Sequence, residues 1–188
     1  MVMNKSIISF FLILIISFTS FNFFINSRYK IERNIKIDAN IDIVFENILN
    51  LEHWTDWAVW FSYPDDLSLN FIDNNDSIIT KIIWEGSENN GYLEIVSFNK
   101  PDSILTKVYS DGLSVTNALF KLERIDHLRT NLSLIIYGKV PFYMSFMTLF
   151  FDSILGNEIE KSLSLLEEKL IGFTYFFYIG HQHQTEIV

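Results

Sequence analysis

The sequence predicts an α+β domain in which a curved antiparallel sheet lies around one long C-terminal helix, preceded by one transmembrane helix. Three observations predict this fold class. A charge-free apolar run lies near the N-terminus, strand-like segments fill the middle of the chain, and helical spacing of apolar residues returns near the C-terminus. Six consecutive antiparallel strands must bury one face, and the long helix is the obvious cover. A cavity between the two would suit a small molecule.

The apolar run extends from Ile7 to Asn26 and contains no charged residue. At about 1.5 Å per residue, this length spans a hydrocarbon core. A cleaved secretory signal is the alternative, but the run ends in Phe-Asn-Phe-Phe-Ile-Asn, without the small-residue cleavage site. We therefore predict an uncleaved single-pass anchor at residues 1–27. Basic residues are more numerous after the run than before it, which favours a cytoplasmic domain, but the count is too small to fix the side.

The remaining chain divides into a folded domain at residues 28–172 and a tail of unassigned role at residues 173–188. Alternation of apolar residues predicts a first strand at Tyr29–Asp38. Asn40 then caps a helix over Ile41–Leu49, and Leu51–Phe61 is interpreted as a second short helix. Turn residues that favour hairpins separate six further predicted strands: Leu67–Ile72, Ile78–Glu85, Tyr92–Phe98, Ile104–Ser110, Val115–Arg124 and Thr130–Tyr137.

The chain becomes helical again after Pro141. The segment Phe142–Leu155 is apolar but short for a second membrane span, so we predict a buried or interfacial helix. Gly156 is expected to bend or break this region. From there to Leu170, Leu and Ile recur every three or four residues, which predicts the helix that covers the sheet.

Composition excludes several classes of protein. The 188 residues include no cysteine, which excludes disulfides, thiolate zinc sites and a cysteine nucleophile. The formal charge of -9, from 14 basic and 23 acidic residues, argues against nucleic acid as a partner, because Lys and Arg dominate phosphate binding. No nucleophile elbow, Walker loop, dinucleotide fingerprint or EF-hand is present, and we predict no cofactor, no metal site and no catalytic residue.

Several short motifs follow one another along the domain. In chain order they are Val44-Phe45, the tryptophans Trp54, Trp57 and Trp60, the turn Trp84-Glu85-Gly86, the strand segment Phe120–Glu123 and the helix start Phe151–Gly156. Their order and spacing resemble the polyketide cyclase/dehydrase-like branch of the START-like (SRPBCC) superfamily, over about Tyr29 to Leu170. Many members of that branch also carry an N-terminal anchor. The resemblance implies a helix-grip fold with a hydrophobic ligand cavity, but no single reaction, because members bind lipids, hormones and polyketides and only some catalyse.

The candidate ligand-binding residues are six aromatic side chains and one cation: Trp54, Trp57, Trp60, Trp84, Tyr92, Phe120 and Arg33. The tryptophans of the short helices form either an aromatic lip at the cavity mouth or a hydrophobic plug between those helices and the sheet. Arg33 shares the apolar face of the first strand, where it pairs with an acid, orients a ligand carboxylate or is solvated at the strand end.

None of the histidines is a strong candidate for a functional site. His53 and His127 are interpreted as surface residues, and His181 and His183 in the tail are too weak a signal for a bound metal.

Three functions remain open on the sequence. The first is a membrane-anchored module that binds an apolar small molecule or lipid; the second is an enzyme of the cyclase or dehydrase type. The third is a domain whose cavity is filled by its own side chains. An apolar lining favours the first, an inward-facing acid or base with a partner favours the second, and absence of a ligand-sized cavity favours the third. The sequence does not specify the oligomeric state.

Overall fold

The computed structural model describes residues 5–61, 67–73, 79–87, 90–111 and 115–185, with side chains described from Ser6 to Ile171 within those ranges. The predicted strand start at Ile78, residues 186–188 of the tail and the side chains of His181 and His183 lie outside this description. With η for a 3₁₀ helix, the elements are α1 (Lys5–Phe24), β1 (Arg28–Ile37), α2 (Ile41–Leu49), η1 (Leu51–Asp56), η2 (Val59–Phe61), β2 (Ser68–Asp73), β3 (Ile79–Glu85), β4 (Asn90–Asn99), β5 (Ser103–Ser110), β6 (Thr116–Arg124), β7 (Thr130–Lys139), η3 (Phe142–Leu149) and α3 (Phe151–Thr185).

All seven strands form one antiparallel sheet in the order β1-β7-β6-β5-β4-β3-β2. From β2 to β7 the strands are joined in sequence, as the predicted hairpins require. The first strand then pairs with the last along its whole length, from Arg28 opposite Lys139 to Ile37 opposite Thr130. Pairing of β1 with β7 leaves β1 and β2 as the two edges of the sheet.

The long C-terminal helix packs on one face of this sheet. Ile159, Leu163 and Leu166 of α3 are at most 2% exposed and lie in the same core as Ile31 of β1 and Leu134 of β7. Their spacing of four and three residues keeps them on one side of the helix. The predicted helix-grip α+β fold, and the predicted covering role of this helix, are therefore confirmed.

Two local predictions are corrected. Gly156 does not break the helix, because α3 continues from Phe151 through the expected tail boundary to Thr185. A Cβ atom on Gly156 would lie 2.2 Å from Nη2 of Arg33, so the glycine makes room for that guanidinium. Leu51–Phe61 forms two 3₁₀ helices instead of one helix, the first capped by the Asn50 side chain.

The N-terminal helix is continuous, and most of its large apolar side chains are exposed, as predicted. Residues Ser6–Phe24 are long and apolar enough to cross a membrane, a property that signal sequences share. Near its end, α1 meets the folded domain at the buried Asn22, whose side-chain oxygen accepts the backbone N–H of Phe146 in η3 at 3.0 Å. The segment Phe142–Leu155 is thus a 3₁₀ helix followed by the start of α3, and it lies against α1.

Candidate ligand-binding site

The face of the sheet that meets α3 has a buried half and a more open half. On β1, β6 and β7, Ile31, Phe120 and Leu134 are at most 2% exposed, although Ile35 and Ile136 stay partly exposed. On the far side of the sheet Ile82 and Ile104 are also buried, but other inner side chains pack against the core and stay partly exposed. We call these residues of β2, β3 and β5, with their two neighbours from η2, the open half: Leu69, Phe71, Trp84, Val108, Trp60 and Phe61.

The strand register places the open half at the same end of the sheet as α1. Residues that pair across antiparallel strands point to the same face, so a row of inner positions can be followed from strand to strand. From β1 to β2 one such row passes through Tyr29, Gly138, Thr116, Val108, Leu93, Ile82 and Phe71. Tyr29 is the second residue of β1, which follows α1 after a short connection. Trp84, which pairs with Gly91 and Leu69, lies one inner position beyond Ile82 in the direction of that same end, so Trp84 and α1 lie at the same end of the sheet.

Trp84 lies directly over Gly91 of the neighbouring strand. A Cβ atom on Gly91 would be 2.3 Å from a ring carbon of Trp84 and 2.2 Å from the carbonyl oxygen of Tyr109. Glycine is therefore the residue that lets the indole approach β4 this closely. Phe61 packs edge-on against the same indole, with ring centroids 6.2 Å apart. These two contacts position Trp84 between β4 and η2.

Trp54, Trp57 and Phe120 form a compact aromatic cluster under the open half and are each 1% exposed. The Trp54 ring lies 4.7 Å from Trp57 and 5.5 Å from Phe120 between centroids. Trp54 Nε1 donates to the carbonyl oxygen of Ile48 at 2.9 Å. These are packing positions, as the plug interpretation expects, and a ligand contact of the three residues stays a prediction.

Trp57 carries one unusual polar group. Its indole Nε1 is buried and has no hydrogen-bond acceptor among the residues that the structure describes. Buried donors in proteins normally have a partner, from the protein, from water or from a ligand. No feature of the sequence predicts this unpaired donor, because its isolation depends on which elements pack around η1.

Tyr92 lies on the opposite face of the sheet from α3, which corrects its assignment to the cavity lining. Its ring stacks on Tyr109 with centroids 4.3 Å apart, and Lys81 Nζ lies 3.9 Å from its centroid. Desolvation, followed by the neighbouring Tyr109, raises the pKa of its hydroxyl. Strand parity is the cause: Tyr92 is adjacent to the inward-facing Leu93 and so points outward.

Arg33 faces inward on β1 and is paired by two acids of α3. Its Nη1 lies 2.9 Å from Asp152 Oδ1, and its Nε lies 2.6 Å from Glu160 Oε1. The hydrogen bond that the guanidinium donates to Asp152, and then the one to Glu160, raises its pKa. Of the roles open on the sequence, pairing with acids is the one the geometry displays, and a ligand carboxylate would have to compete with both.

The inner positions of β1 and β3–β7 contain no Asp, Glu or His among the described residues. Tyr29 contributes a hydroxyl 2.7 Å from the Thr116 hydroxyl, and burial raises its pKa. The buried hydroxyls of Thr106 and Thr130 donate to backbone carbonyls. This lining is therefore apolar with satisfied hydroxyls, and its ionisable groups do not change charge near neutral pH.

His53 is less exposed than the sequence suggested. It lies in η1, and its Nδ1 is buried without a hydrogen-bond partner among the described residues. Burial, and then the nearby Lys169, lowers the pKa of its imidazole. Lys169 is held beside η1 by Asp56, with Nζ 2.7 Å from Oδ2. The packing of α3 on η1 creates this environment, which the local sequence does not encode.

Two surface pockets among the described residues lie at opposite ends of the sheet, and neither is lined by a residue of the open half. One, of about 260 Å³, lies where α1, β1 and the start of α3 meet and is lined in part by Arg28, Tyr29 and Phe151. The other, of about 570 Å³, lies at the opposite end of the sheet beside Pro101 and Lys121. The open half is therefore a partly exposed apolar surface outside both pockets, and the interpretation of a domain filled by its own side chains stays open.

No protein-family model matches the chain, and no curated protein is similar to it in sequence. Solved structures are similar in fold. A START superfamily protein from Mycobacterium smegmatis is 11% identical, covering 77% of this chain and 99% of its own, with a TM-score of 0.54. A conserved protein from Geobacillus kaustophilus is 12% identical over 76% of this chain and 95% of its own, with a TM-score of 0.57.

A third similar structure comes from a biosynthetic locus. A protein in the dynemicin biosynthetic locus is 13% identical over 75% of this chain and 46% of its own, with a TM-score of 0.50. At sequence identities this low, the structural similarity establishes a common fold, and the activity has to be argued from the site. The chain has a START-like (SRPBCC) fold.

Proposed function

We propose that this START-like domain binds an apolar small molecule or lipid on the open half of its inner face, and that α1 anchors it to the membrane. The observation that carries the proposal is the incomplete cover of that half, where large apolar side chains stay partly exposed beside a fully buried core. Adjoining apolar side chains that remain accessible at a surface are one mark of a ligand-binding groove.

The chemistry of this face supports binding over acid–base catalysis. A general acid or base needs a titratable group within hydrogen-bond reach of the substrate, and the inner positions of β1 and β3–β7 in the described chain offer no carboxylate or imidazole. A ligand would therefore be held mainly by area. Burying about 300 Å² of apolar surface contributes on the order of 7 kcal/mol at 25 cal/mol per Å², before association costs. The Trp57 indole N–H is the candidate for one directional bond to a ligand acceptor.

The packing of α1 supports a retained anchor over a cleaved signal. Asn22 accepts the N–H of Phe146, and Phe18 packs edge-on against the Phe146 ring at 5.5 Å. The Thr148 hydroxyl also donates to the carbonyl oxygen of Asn26 at 3.1 Å. Removal of α1 would uncover Phe146 and leave its N–H without this acceptor, which would destabilise the domain. A signal sequence that is cleaved has no need of such contacts with the mature domain.

The test is binding of an apolar fluorescent probe by the full chain in detergent micelles. Trp84→Ala removes about 50–100 Å² of contact, or roughly 1.3–2.5 kcal/mol, and is expected to weaken binding by about ten- to seventyfold. Tyr92→Ala is the matched control, because it truncates an aromatic residue on the outer face of the same β3–β4 hairpin and should leave affinity unchanged. Equal affinity in both variants would refute the open half as the site.

Native mass spectrometry of the membrane-extracted protein gives an independent answer. The expected result is an intact chain of 22.1 kDa that carries a co-purifying lipid or other apolar molecule. A chain shortened by its N-terminal helix would refute the anchor. Absence of any probe binding by the wild-type chain would instead favour a domain whose interior is filled by its own side chains.

A further inference from the structure

The segment that joins the sheet to the C-terminal helix exposes several large apolar side chains. We call them the junction patch: Phe142, Tyr143, Leu149, Phe150 and Ile154. They lie in η3 and at the start of α3. Clusters of this kind on a protein surface mark contact with another protein or with a membrane.

The junction patch lies beside the end of α1. The backbone N–H of Phe146 donates to Asn22, and the Phe146 ring contacts Phe18. Phe142 of the patch contacts Phe23, with ring centroids 6.4 Å apart. Because Phe18 and Phe23 both belong to α1, η3 lies along the last two turns of that helix.

The length of α1 sets the depth of η3. The apolar span Ser6–Phe24 has 19 residues, which is about 28 Å of helix against a hydrocarbon core of about 30 Å. The helix is therefore only just as long as the hydrocarbon core is thick, and all of its residues are needed to cross that core. Phe18 lies six residues before the end, about 9 Å along the helix axis. A segment packed against Phe18 is level with the outer part of the apolar layer.

We propose that η3 and the start of α3 form a second membrane-contacting element, whose junction patch lies in the interfacial layer of the bilayer beside α1. The inference rests on the proposed transmembrane role of α1. Tyrosine, present in the patch as Tyr143, is enriched at this level of a membrane, and Phe and Leu are typical of the apolar face of interfacial helices. Arg28 and Lys139, cross-strand partners at the same end of the sheet, are both exposed where lipid phosphates would lie.

The second contact has a consequence for the open half. One helix followed by a short connection leaves the domain free to tilt, whereas two adjacent contacts hold the α1 end of the sheet towards the bilayer. Trp84 belongs to that end of the sheet. The junction patch would therefore orient the open half towards the lipid.

Nitroxide labelling of single cysteines in the full chain tests the proposal, because the natural sequence has no cysteine. Leu149→Cys reports on the patch, and Tyr143→Cys gives a second report from the same surface. Leu128→Cys is the matched control, since both leucines are similarly exposed, at 60% and 55%, and Leu128 lies in the β6–β7 hairpin at the other end of the sheet. Ile15→Cys lies near the centre of the span and tests the anchor itself.

The labelled chains are reconstituted in vesicles of phosphatidylcholine and phosphatidylglycerol, and collision rates with oxygen and with a water-soluble nickel complex are compared. The expected result is oxygen-favoured relaxation at Leu149→Cys and Tyr143→Cys, at a depth of about 5–10 Å. Leu128→Cys should favour nickel, and Ile15→Cys should give the deepest position.

Three outcomes overturn the proposal in different ways. Nickel access at Leu149→Cys equal to that at Leu128→Cys, with Ile15→Cys still in lipid, rejects the second contact and keeps the anchor. Shielding of the patch labels from both reagents shows that protein covers the patch, either a partner or a second copy. Nickel access at Ile15→Cys rejects the anchor and, with it, the second contact.

Discussion

Gly156→Ala is expected to stabilise the protein only when the guanidinium of Arg33 is absent. In a helix interior, Ala is about 0.8–1.0 kcal/mol better than Gly, so helix propensity alone predicts a more stable α3. A Cβ at this position would lie 2.2 Å from Nη2 of Arg33, which must then move away. Movement of the guanidinium disturbs its bonds to Asp152 and Glu160.

The two effects are of similar size. The Arg33 side chain is 23% exposed but its acid partners are 70% and 58% exposed, so solvent screens both pairs. Each such pair typically contributes about 0.2–1 kcal/mol, or about 0.4–2 kcal/mol for the two. In the wild-type background Gly156→Ala should therefore give little or no gain. After Arg33→Met, which keeps the apolar stem and removes the guanidinium, the full gain of about 0.8–1.0 kcal/mol should return.

Urea unfolding in mild detergent, followed by the fluorescence of the buried Trp54 and Trp57, measures both effects. Asn157→Ala, at the exposed neighbouring position of α3, is the control and should give the same change in both backgrounds. A Gly156→Ala gain that is equal in both backgrounds within about 0.5 kcal/mol would refute the coupling and the spacer role of the glycine.

Two further predictions concern α3 and η1. Leu163→Ala, at a buried α3 position, should destabilise the domain by about 2–5 kcal/mol. The control Ser164→Ala, on the exposed side of α3, should change the free energy of unfolding by no more than about 0.5 kcal/mol. Urea unfolding measures both, and equal effects of the two substitutions would contradict the covering role of α3. Because burial lowers the folded-state pKa of His53 below its ordinary 6.5, the unfolded chain binds the proton first, and stability should fall as the pH drops below about 6.5. His53→Gln should flatten this part of the pH profile, and a profile unchanged by this substitution excludes His53 as the cause.

The sequence predicted the elements well where one periodicity dominates. The helix at Ile41–Leu49 agrees to the residue, since Asn40 accepts the N–H of Asp42 and the apolar stripe follows at once. The first strand agrees to within one residue at each end. These elements are specified by their own residues, through a cap, a stripe or an alternation.

Predictions that depended on distant packing were less accurate. The local sequence predicts a bend or break at Gly156, but the reason for the glycine is the Arg33 side chain more than 100 residues earlier in the chain. The aromatic character of Tyr92 predicts a place in the lining, although parity relative to Leu93 turns it outward. The isolation of the Trp57 donor depends in the same way on elements that meet only after folding.

The strand register brings α1, the junction patch and the open half to one end of the sheet. Tyr29 begins the inner row next to α1, and its ring lies 4.7 Å from that of Phe151 in α3. The row ends at Ile82 and Phe71, one inner position from Trp84 and Leu69. A protein whose apolar ligand came from water would gain nothing from this coincidence. For a ligand drawn from the bilayer, anchoring the domain by that end places the apolar surface next to the source and raises the effective concentration of the ligand. The position of Trp84, rather than the apolar character of the sheet alone, is what favours a membrane-derived ligand.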